Sequence, residues 1–351
     1  MNPLVIIQVT RQGPGWTPIN YMADLAGRLF GTETVTLPKT RANLAKVRFG
    51  LQKRKRNAEK PDLLLIAPTP SDLLMLAEVD GWQEGFNRAA AWIVDSFWLD
   101  RVPRFGAADK FDHLFIMTDN EKEAFERRLK RPTTFLPWGA DVLDQGLGQA
   151  GSQGDGKSID LLRMGRQPLS LGNDEENARA SQELGMSYQG RPPFADDTIT
   201  LHRQNMATYR KAKFVLASSN RAAPVEFTHP KREYVTGRWT DALAAGCGVA
   251  GIPPHSDMTC QEYLWPEALL EFPNVDRGQA LSTIREALDH WTLELAQQNY
   301  RTALERLDWR WRFQEIADYF GHDFPLLEQD LAWLRQTLDN SLEPVPAELA
   351  L

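Results

Sequence analysis

The sequence predicts an α/β protein of two domains, each with a parallel β-sheet covered by helices. A chain of 351 residues exceeds the usual size of a single hydrophobic core. Continuous apolar runs, such as residues 4–9 and 62–66, are typical of strands buried on both faces of a parallel sheet. These runs alternate with segments of helical period in both halves of the chain, which is the pattern of β/α units.

The first half supplies predicted strands joined by helices. The opening strand ends at a Gly-rich turn, after which Thr17 is the expected N-cap of a helix and Pro18 its first residue. Basic residues crowd the predicted amphipathic helix at 40–60. The remaining elements are predicted as helices at 71–79 and 120–129 and strands at 4–9, 33–37, 62–66, 89–94, 113–118 and 133–136.

The second half repeats this order and ends in helices. Strands are predicted at 159–164, 214–217 and 268–272, with another inside 231–254, and helices at 174–184 and 201–211. The chain is expected to be helical from residue 276 onward. Aromatic and aliphatic residues there recur at helical spacing and predict packing against the other domain; they are Trp309, Phe313, Ile316 and Phe320.

These elements divide the chain into five segments. We expect two Rossmann-like domains that face a cleft, with the last helices packing back on the first domain. The segments are 1–142 for the N-terminal domain, 143–158 for a Gly-rich linker, 159–305 for the C-terminal domain, 306–340 for the returning helices and 341–351 for a frayed tail.

Composition narrows the functional class. The net charge of −7, from 40 basic and 47 acidic residues, disfavours general nucleic-acid binding. No apolar run approaches the roughly 20 residues of a membrane span, and the start lacks a signal-peptide pattern. We therefore expect a cytoplasmic protein.

The basic helix 40–60 either rests on an anionic membrane surface or is an ordinary solvated face. The two cysteines, Cys247 and Cys260, indicate neither a disulfide framework nor a zinc site.

The stretch 231–254 carries the strongest functional signal. It places Glu233 and Asp241 on either side of Gly237 and Arg238, and continues into an Ala-rich helix and a Gly-punctuated strand. A Gly and an Arg at a helix N-terminus can hold an anion, because the free N–H groups and the helix dipole favour negative charge. The flanking carboxylates suit sugar hydroxyls. Together these residues suggest a nucleotide-sugar site.

Two further places are candidates because they follow predicted strands. Asp95 and then Asp100 come after the strand at 89–94, where a carboxylate of an α/β sheet points into the ligand crevice and serves as a catalytic base. The alternative for Asp95 is a turn cap. Gly13 and Gly15 follow the first strand and either admit a ligand close to the backbone or only form a tight turn.

Residues 151–158, GSQGDGKS, match the letters of a phosphate-binding loop. That motif requires a strand before it and a helix after it. Here a low-complexity segment precedes the match and a strand-like run follows, so we interpret the match as accidental.

The motifs together resemble the group 1 glycosyltransferases of the GT-B fold. The matching pieces are LLRMGRQP, FVLASS, the Glu233-x7-Asp241 spacing, DALAAGCGVAGIPP and FLPWGAD. The resemblance is strong over residues 159–254 and limited to the order of elements before residue 136. It implies a GT-B fold and transfer of a sugar from a nucleotide-sugar donor to an acceptor hydroxyl. Glu-x7-Glu spacing is typical of retaining members.

The resemblance also assigns roles. Arg166 corresponds to a basic residue on the donor diphosphate, Glu233 to the residue facing the transferred sugar and Asp241 to a Glu that binds the ribose. The family's Lys after the Arg is missing, so Arg238 is expected to supply the second charge. Ser218 and Gly237 would also bind the donor, Gly13 and Gly15 would lie on the acceptor side, and Asp95 or Asp100 would be the base of an inverting reaction.

No Asp-x-Asp pair accompanies the predicted donor loop, which favours a reaction with neither a metal nor a cofactor besides the donor. The acceptor class stays open. The rival interpretations are a nucleotide-sugar epimerase on the same fold, a nucleotidase or kinase that uses the loop at 151–158, and a non-catalytic partner subunit. His229 and His255 flank the donor loop, but a lone His is more often structural.

Overall fold

The computed structural model describes residues 3–11, 13–39, 55–103, 110–149, 156–226 and 228–340. These residues form a mixed α/β structure with two parallel sheets. The first sheet has six strands in the order β2-β1-β3-β4-β5-β6, and the apolar runs of the sequence form its centre, where Ile6 pairs with Leu64. Its strands are β1 Leu4–Thr10, β2 Thr34–Pro38, β3 Asp62–Ala67, β4 Ala89–Ile93, β5 His113–Ile116 and β6 Thr133–Phe135.

The second sheet has five parallel strands in the order β11-β10-β9-β7-β8. In both sheets the first strand lies between the second and the third, so the strand order reverses beside it. Parallel sheets bind ligands at the carboxyl ends of the strands at such a point. The strands are β7 Ile159–Arg163, β8 Tyr188–Gln189, β9 Ala212–Leu216, β10 Gly248–Gly251 and β11 Leu269–Glu271. This arrangement agrees with two Rossmann-like units.

Helices cover both sheets. The helices of the first half and its connection are α1 Thr17–Leu29, α2 Trp82–Gly85, α3 Lys122–Leu129 and α4 Val142–Gln145. Those of the second half are α5 Asp174–Glu183, α6 Thr198–Tyr209, α7 Gly237–Ala244, α8 Met258–Tyr263, α9 Arg277–Leu288 and α10 Leu293–Arg306. The chain then forms α11 Trp309–Phe320 and α12 Pro325–Asn340.

Helix α11 packs against the first sheet, as its aromatic spacing predicts. The Trp309 ring meets Trp92 of β4 edge to face with 5.9 Å between centroids, and Phe313 meets Phe30 at 5.7 Å. Edge-to-face aromatic pairs of this kind stabilise buried contacts. The C-terminal helices therefore cover part of the half of the protein from which they are most distant in sequence.

A buried ionic cluster joins α11 and α12 to the connection between the sheets. Arg310 is fully buried and its guanidinium forms ion pairs of 2.8–3.1 Å with four carboxylates. We call this set the hinge cluster; it consists of Arg310, Asp141, Asp144, Asp308 and Asp330. Beside it, the chain segments at Ala140 and Asp308 form a parallel β-bridge. Both passages of the chain between the halves are thus held together.

Three local predictions differ from the structure. Thr17 is the first residue of α1 rather than its N-cap, which is Trp16, and the Thr17 hydroxyl donates to the carbonyl of Pro14. The segment predicted as a helix at 71–79 is a 3₁₀ helix, Pro70–Glu78. Most of the basic segment 40–60 lies outside the described residues, and residues 55–60 are coil and turn. The tail at 341–351 also lies outside them.

Candidate functional site

The candidate site lies where the carboxyl ends of strands from both sheets approach each other. Asp95 follows β4 of the first sheet, whereas Arg166 follows β7 and Ser218 follows β9 of the second. Strands β7 and β9 flank the reversal of strand order in the second sheet, which is the usual ligand position. The ends of these strands, with the loop before α7, supply the groups described next.

Arg166 and Arg238 form a cationic corner in the second half. The Arg238 guanidinium donates hydrogen bonds to the carbonyl oxygens of Arg166 at 2.5 Å and Ser218 at 3.3 Å, so it holds the ends of β7 and β9 together. Gly165 makes this possible, because its φ is +70° and a Cβ there would lie 2.8 Å from Arg238 Cδ. Arg238, the residue expected to supply the second positive charge, therefore lies beside Arg166 and has a structural role.

The cationic corner concentrates positive charge. Burial, followed by repulsion from Arg166, lowers the pKa of Arg238 to about 10, and burial also lowers the pKa of Arg166. Among the described residues, no carboxylate forms an ion pair with Arg238. Two guanidiniums that repel each other favour a doubly charged anion, because a bound diphosphate would relieve the repulsion.

Asp95 lies at the end of β4 in the first half, and its charge acts on Tyr234, which is hydrogen-bonded to Arg166. Its backbone N–H donates to the Pro68 carbonyl at 2.9 Å, which fixes the carboxyl at the end of β4. Burial raises the pKa of Asp95 to about 7, although the positive charges of Arg11 and Arg101 act in the opposite direction. A carboxyl group with a pKa near neutral pH is suited to general-base catalysis.

Tyr234 connects the two sides, and the sequence analysis did not identify it. Its ring stacks on Phe97 of the first half with 3.8 Å between centroids and 7° between planes. Its hydroxyl is hydrogen-bonded to the Arg166 side chain. Burial and then the charge of Asp95 raise the pKa of Tyr234 to about 12, so the Tyr234 hydroxyl stays protonated. The neighbouring Glu233 motif was the only sequence signal that could have pointed to Tyr234.

The loop before α7 is attached to the first half by polar contacts as well. Arg232 forms an ion pair of 2.5 Å with Glu121 and donates to the Phe97 carbonyl at 2.9 Å. The Asn120 side chain donates to the Ser256 carbonyl at 3.0 Å. These contacts bring the loop that carries Glu233 against the loop that follows Asp95.

Glu233 is placed by backbone and hydroxyl contacts. Its carboxylate accepts a hydrogen bond from Ser256 Oγ at 2.9 Å and lies 4.0 Å from the Arg221 guanidinium. The side chain is only 10% exposed, so these contacts hold it in a nearly buried position. Glu233 directly precedes Tyr234 in the loop before α7, and its hydrogen bond and ion pair are with Ser256 and Arg221.

Asp241 and Gly237 lie deeper than the resemblance implies. Asp241 is only 4% exposed, and burial followed by the nearby Asp141 raises its pKa well above the usual range. A Cβ at Gly237 would lie 3.0 Å from Pro18 of α1, so this end of α7 packs directly on the first half. Both residues are near the site, but the structure shows no open face of Asp241 for a ribose.

The other candidate residues have simpler surroundings. Asp100 is exposed in the 3₁₀ turn Leu99–Arg101. Gly13 and Gly15 are exposed, and a Cβ at either would meet no atom within 4 Å, which leaves open space beside the first strand. The φ of Gly13, +109°, requires glycine. Ser218 is buried and offers its carbonyl oxygen to Arg238.

Lys157, the lysine of the phosphate-loop match, is buried and hydrogen-bonded within the protein. Its ammonium donates to the carbonyl oxygens of Ala212 at 2.7 Å and Ala245 at 2.8 Å, and burial lowers its pKa. The strand β7 follows it directly. These contacts support the interpretation of the match as accidental. His229 is structural too, since its Nδ1 accepts hydrogen bonds from the backbone of Lys231 and Arg232.

A cavity of about 400 Å³ borders the hinge cluster instead of the candidate site; its lining includes Tyr21, Arg28, Asp144, Arg203 and Trp333.

Within the described ranges, the helices are too short or too polar to span a bilayer. No protein-family model matches the sequence, and no curated protein matches it significantly.

Proposed function

We propose that this protein is a GT-B glycosyltransferase that transfers a sugar from a nucleotide-sugar donor to an acceptor hydroxyl. The observation that carries the proposal is the cationic corner at the ends of β7 and β9, which Tyr234 links to Asp95 of the first half. When the sugar is transferred, the nucleoside diphosphate is the leaving group, and fixed cations stabilise the negative charge that develops on it. Arg166 and Arg238 take this role in place of a metal ion.

Asp95 is the proposed base. As the acceptor oxygen attacks the anomeric carbon and the bond to the donor phosphate breaks, the hydroxyl proton passes to the Asp95 carboxylate. A base placed in this way favours inversion, whereas the Glu233-x7-Asp241 spacing resembles retaining enzymes. The anomeric configuration of the product decides between them. Glu233, held by Ser256, is proposed to face the transferred sugar.

Thermal unfolding with a panel of sugar nucleotides tests the proposal. A ligand present at 100 times its dissociation constant stabilises the folded protein by about 2.7 kcal/mol, which is a shift of several degrees. We expect one of the UDP-, GDP-, ADP-, TDP- or CMP-sugars to give this shift in the wild-type protein. No shift with any of them would overturn the proposal.

Three controls separate the rival functions. The Lys157→Met variant keeps the side-chain volume and should bind the donor unchanged, whereas loss of ATP turnover in it would indicate a phosphate-loop enzyme. Conversion of the donor without an acceptor would indicate an epimerase. The Glu233→Gln variant should bind the donor and lose turnover; full turnover in it would show that Glu233 lies outside the site.

A further inference from the structure

A second group of positive charges surrounds Asp95 on the first-half side of the site. The Arg11 guanidinium binds the buried Asp72 carboxylate at 2.8 Å and donates to Thr69 Oγ1 at 3.0 Å. Lys39 Nζ lies 2.5 Å from the same carboxylate. One buried negative charge therefore faces two cations, so a positive charge is left over beside the end of β1.

Arg101 adds another cation near Asp95. Its guanidinium lies over the Trp98 ring, 3.4 Å from the centroid, which holds the charge in place. The side chain is exposed, and no acidic side chain of the described residues forms an ion pair with it. The neighbouring Asp100 is exposed as well and does not bind Arg101. This guanidinium is thus oriented by an aromatic ring without being neutralised.

Backbone contacts bring both arginines to Asp95. The Asp95 N–H binds the carbonyl of Pro68, next to Thr69, which holds Arg11. On the other side, the Trp98 N–H binds the Asp95 carbonyl at 3.3 Å and the Trp98 ring carries Arg101. The positive charges of both arginines act on Asp95, so a hydroxyl group presented to Asp95 would lie near two guanidiniums.

The donor does not account for these cations. In the proposed function its diphosphate is balanced by Arg166 and Arg238, which lie on the second half, whereas Arg11 and Arg101 lie on the first half with Asp95. A protein with a net charge of −7 gathers positive charge here against its overall balance. Local surplus charge of this kind attracts and orients an oppositely charged substrate.

We propose that the acceptor is an anionic molecule, and that Arg101 and Arg11 bind its phosphate or carboxylate group while Asp95 takes the proton of its hydroxyl. The new bond joins the acceptor oxygen to the anomeric carbon, and the nucleoside diphosphate leaves. This inference rests on the proposed function. The inference extends the proposed function by assigning a negative charge to the acceptor.

Calorimetric titration with three matched probes tests the inference. Glycerol 3-phosphate, glycerate and glycerol are each titrated into protein saturated with the nucleoside diphosphate that stabilises it most, or into free protein if none does. We expect at least one of the two anions to bind and glycerol not to bind. The Arg101→Met variant should bind the anion about 10-fold more weakly, which is about 1.4 kcal/mol, and Arg101→Lys should restore most of the affinity.

The two proposals can fail separately. Binding of the nucleotide with no binding of either anion, or with unchanged anion binding in Arg101→Met, overturns the anionic acceptor and leaves the glycosyltransferase intact. Equal binding of glycerol and the two anions also overturns the anionic acceptor. The Arg166→Met variant is the reverse control, because it should lose nucleotide affinity and keep the anion. Absence of nucleotide binding in the wild-type protein counts against the proposed function itself.

Vesicles then distinguish a lipid from a small soluble acceptor. Sedimentation with phosphatidylglycerol vesicles, compared with phosphatidylcholine vesicles, should show binding that Arg101→Met weakens if the phosphate belongs to a lipid headgroup. Binding of glycerol 3-phosphate without vesicle binding assigns a soluble acceptor. Vesicle binding that is the same in Arg101→Met would contradict a role of Arg101 in lipid recognition.

Discussion

The hinge cluster and the cationic corner use the same residue type in opposite ways. Arg310 in the hinge cluster is surrounded by four carboxylates, which raise its pKa despite full burial. Arg238 in the cationic corner binds only carbonyl oxygens in the described structure, beside another arginine, and its pKa falls. The first region contains more negative than positive charge, and the second contains the reverse.

On this difference we base the proposal that Arg310 has a structural role, whereas Arg238 binds a ligand in addition to its structural contacts. Removal of one partner from a buried ion pair leaves uncompensated charge and destabilises the fold. In the cationic corner, by contrast, repulsion is already present before a ligand binds, so a bound anion lowers the energy. Perturbed groups of the second kind are typical of functional sites. The predictions below test this division.

The largest effect is expected from Asp95→Asn. Loss of the general base should lower turnover by about 10²–10⁴-fold, while donor binding changes little. Steady-state turnover and donor affinity, measured side by side, check this expectation. Asp100→Asn is the matched control, because Asp100 is exposed, and it should retain near-normal turnover. An active Asp95→Asn variant would remove Asp95 from the mechanism.

The second prediction concerns the stability of the hinge cluster. Arg310→Met should lower the free energy of unfolding by about 3–5 kcal/mol, because it leaves buried carboxylates without a cation. Urea unfolding at pH 7 measures the loss. The control is Arg28→Met, whose side chain is 51% exposed and pairs with Asp144; it should cost less than about 1 kcal/mol. Similar losses in both variants would contradict the structural role of Arg310.

The third prediction concerns the cationic corner. Arg166→Met should weaken donor binding by about 1.5–3 kcal/mol, the usual contribution of a hydrogen bond to a charged group. The stability of the free protein should change much less than in Arg310→Met. Calorimetric titration and urea unfolding of both variants provide the comparison. If Arg166→Met loses stability and keeps donor affinity, the two regions do not differ in the way proposed.

The smallest effect is a pH dependence of stability. Because the pKa of Asp95 is about 7 in the folded protein and 3.8 without burial, the folded state retains a proton that the unfolded state releases between these values. The contribution of Asp95 to the free energy of unfolding therefore falls and becomes unfavourable as pH rises from about 4 to 7. Since the carboxyl is partly exposed, the loss should be on the order of 1–2 kcal/mol. Unfolding midpoints of wild type and Asp95→Asn at pH 5 and pH 8 should diverge at the higher pH.

The sheets could be predicted from sequence because each central strand is a local apolar run. The run at 62–66 becomes β3, Asp62–Ala67, with every residue buried. The cationic corner was also predictable, since the turn at Arg166 and the helix start at Arg238 are each local patterns. The 3₁₀ helix Pro70–Glu78 was less predictable, because its residues fit an α-helix equally well.

The rest of the site depends on contacts that the sequence does not encode locally. Tyr234 acquires its place by stacking on Phe97, and Arg101 by lying on Trp98; neither contact has a spacing signature. Asp241 has the expected spacing from Glu233, but α7 turns it into a buried position near Pro18. Lys157 matches the phosphate-loop motif only in its letters. The motif requires a helix after the lysine, whereas strand β7 follows Lys157.

The β-bridge beside the hinge cluster has a mechanical consequence. The Ala140 N–H donates to the Leu307 carbonyl at 2.9 Å, and the Trp309 N–H donates to the Ala140 carbonyl at 3.0 Å. The two chain segments that connect the halves are joined by these hydrogen bonds. They therefore form one pivot and not two independent connections. We therefore expect any movement that separates the two halves to be a rotation about this pivot.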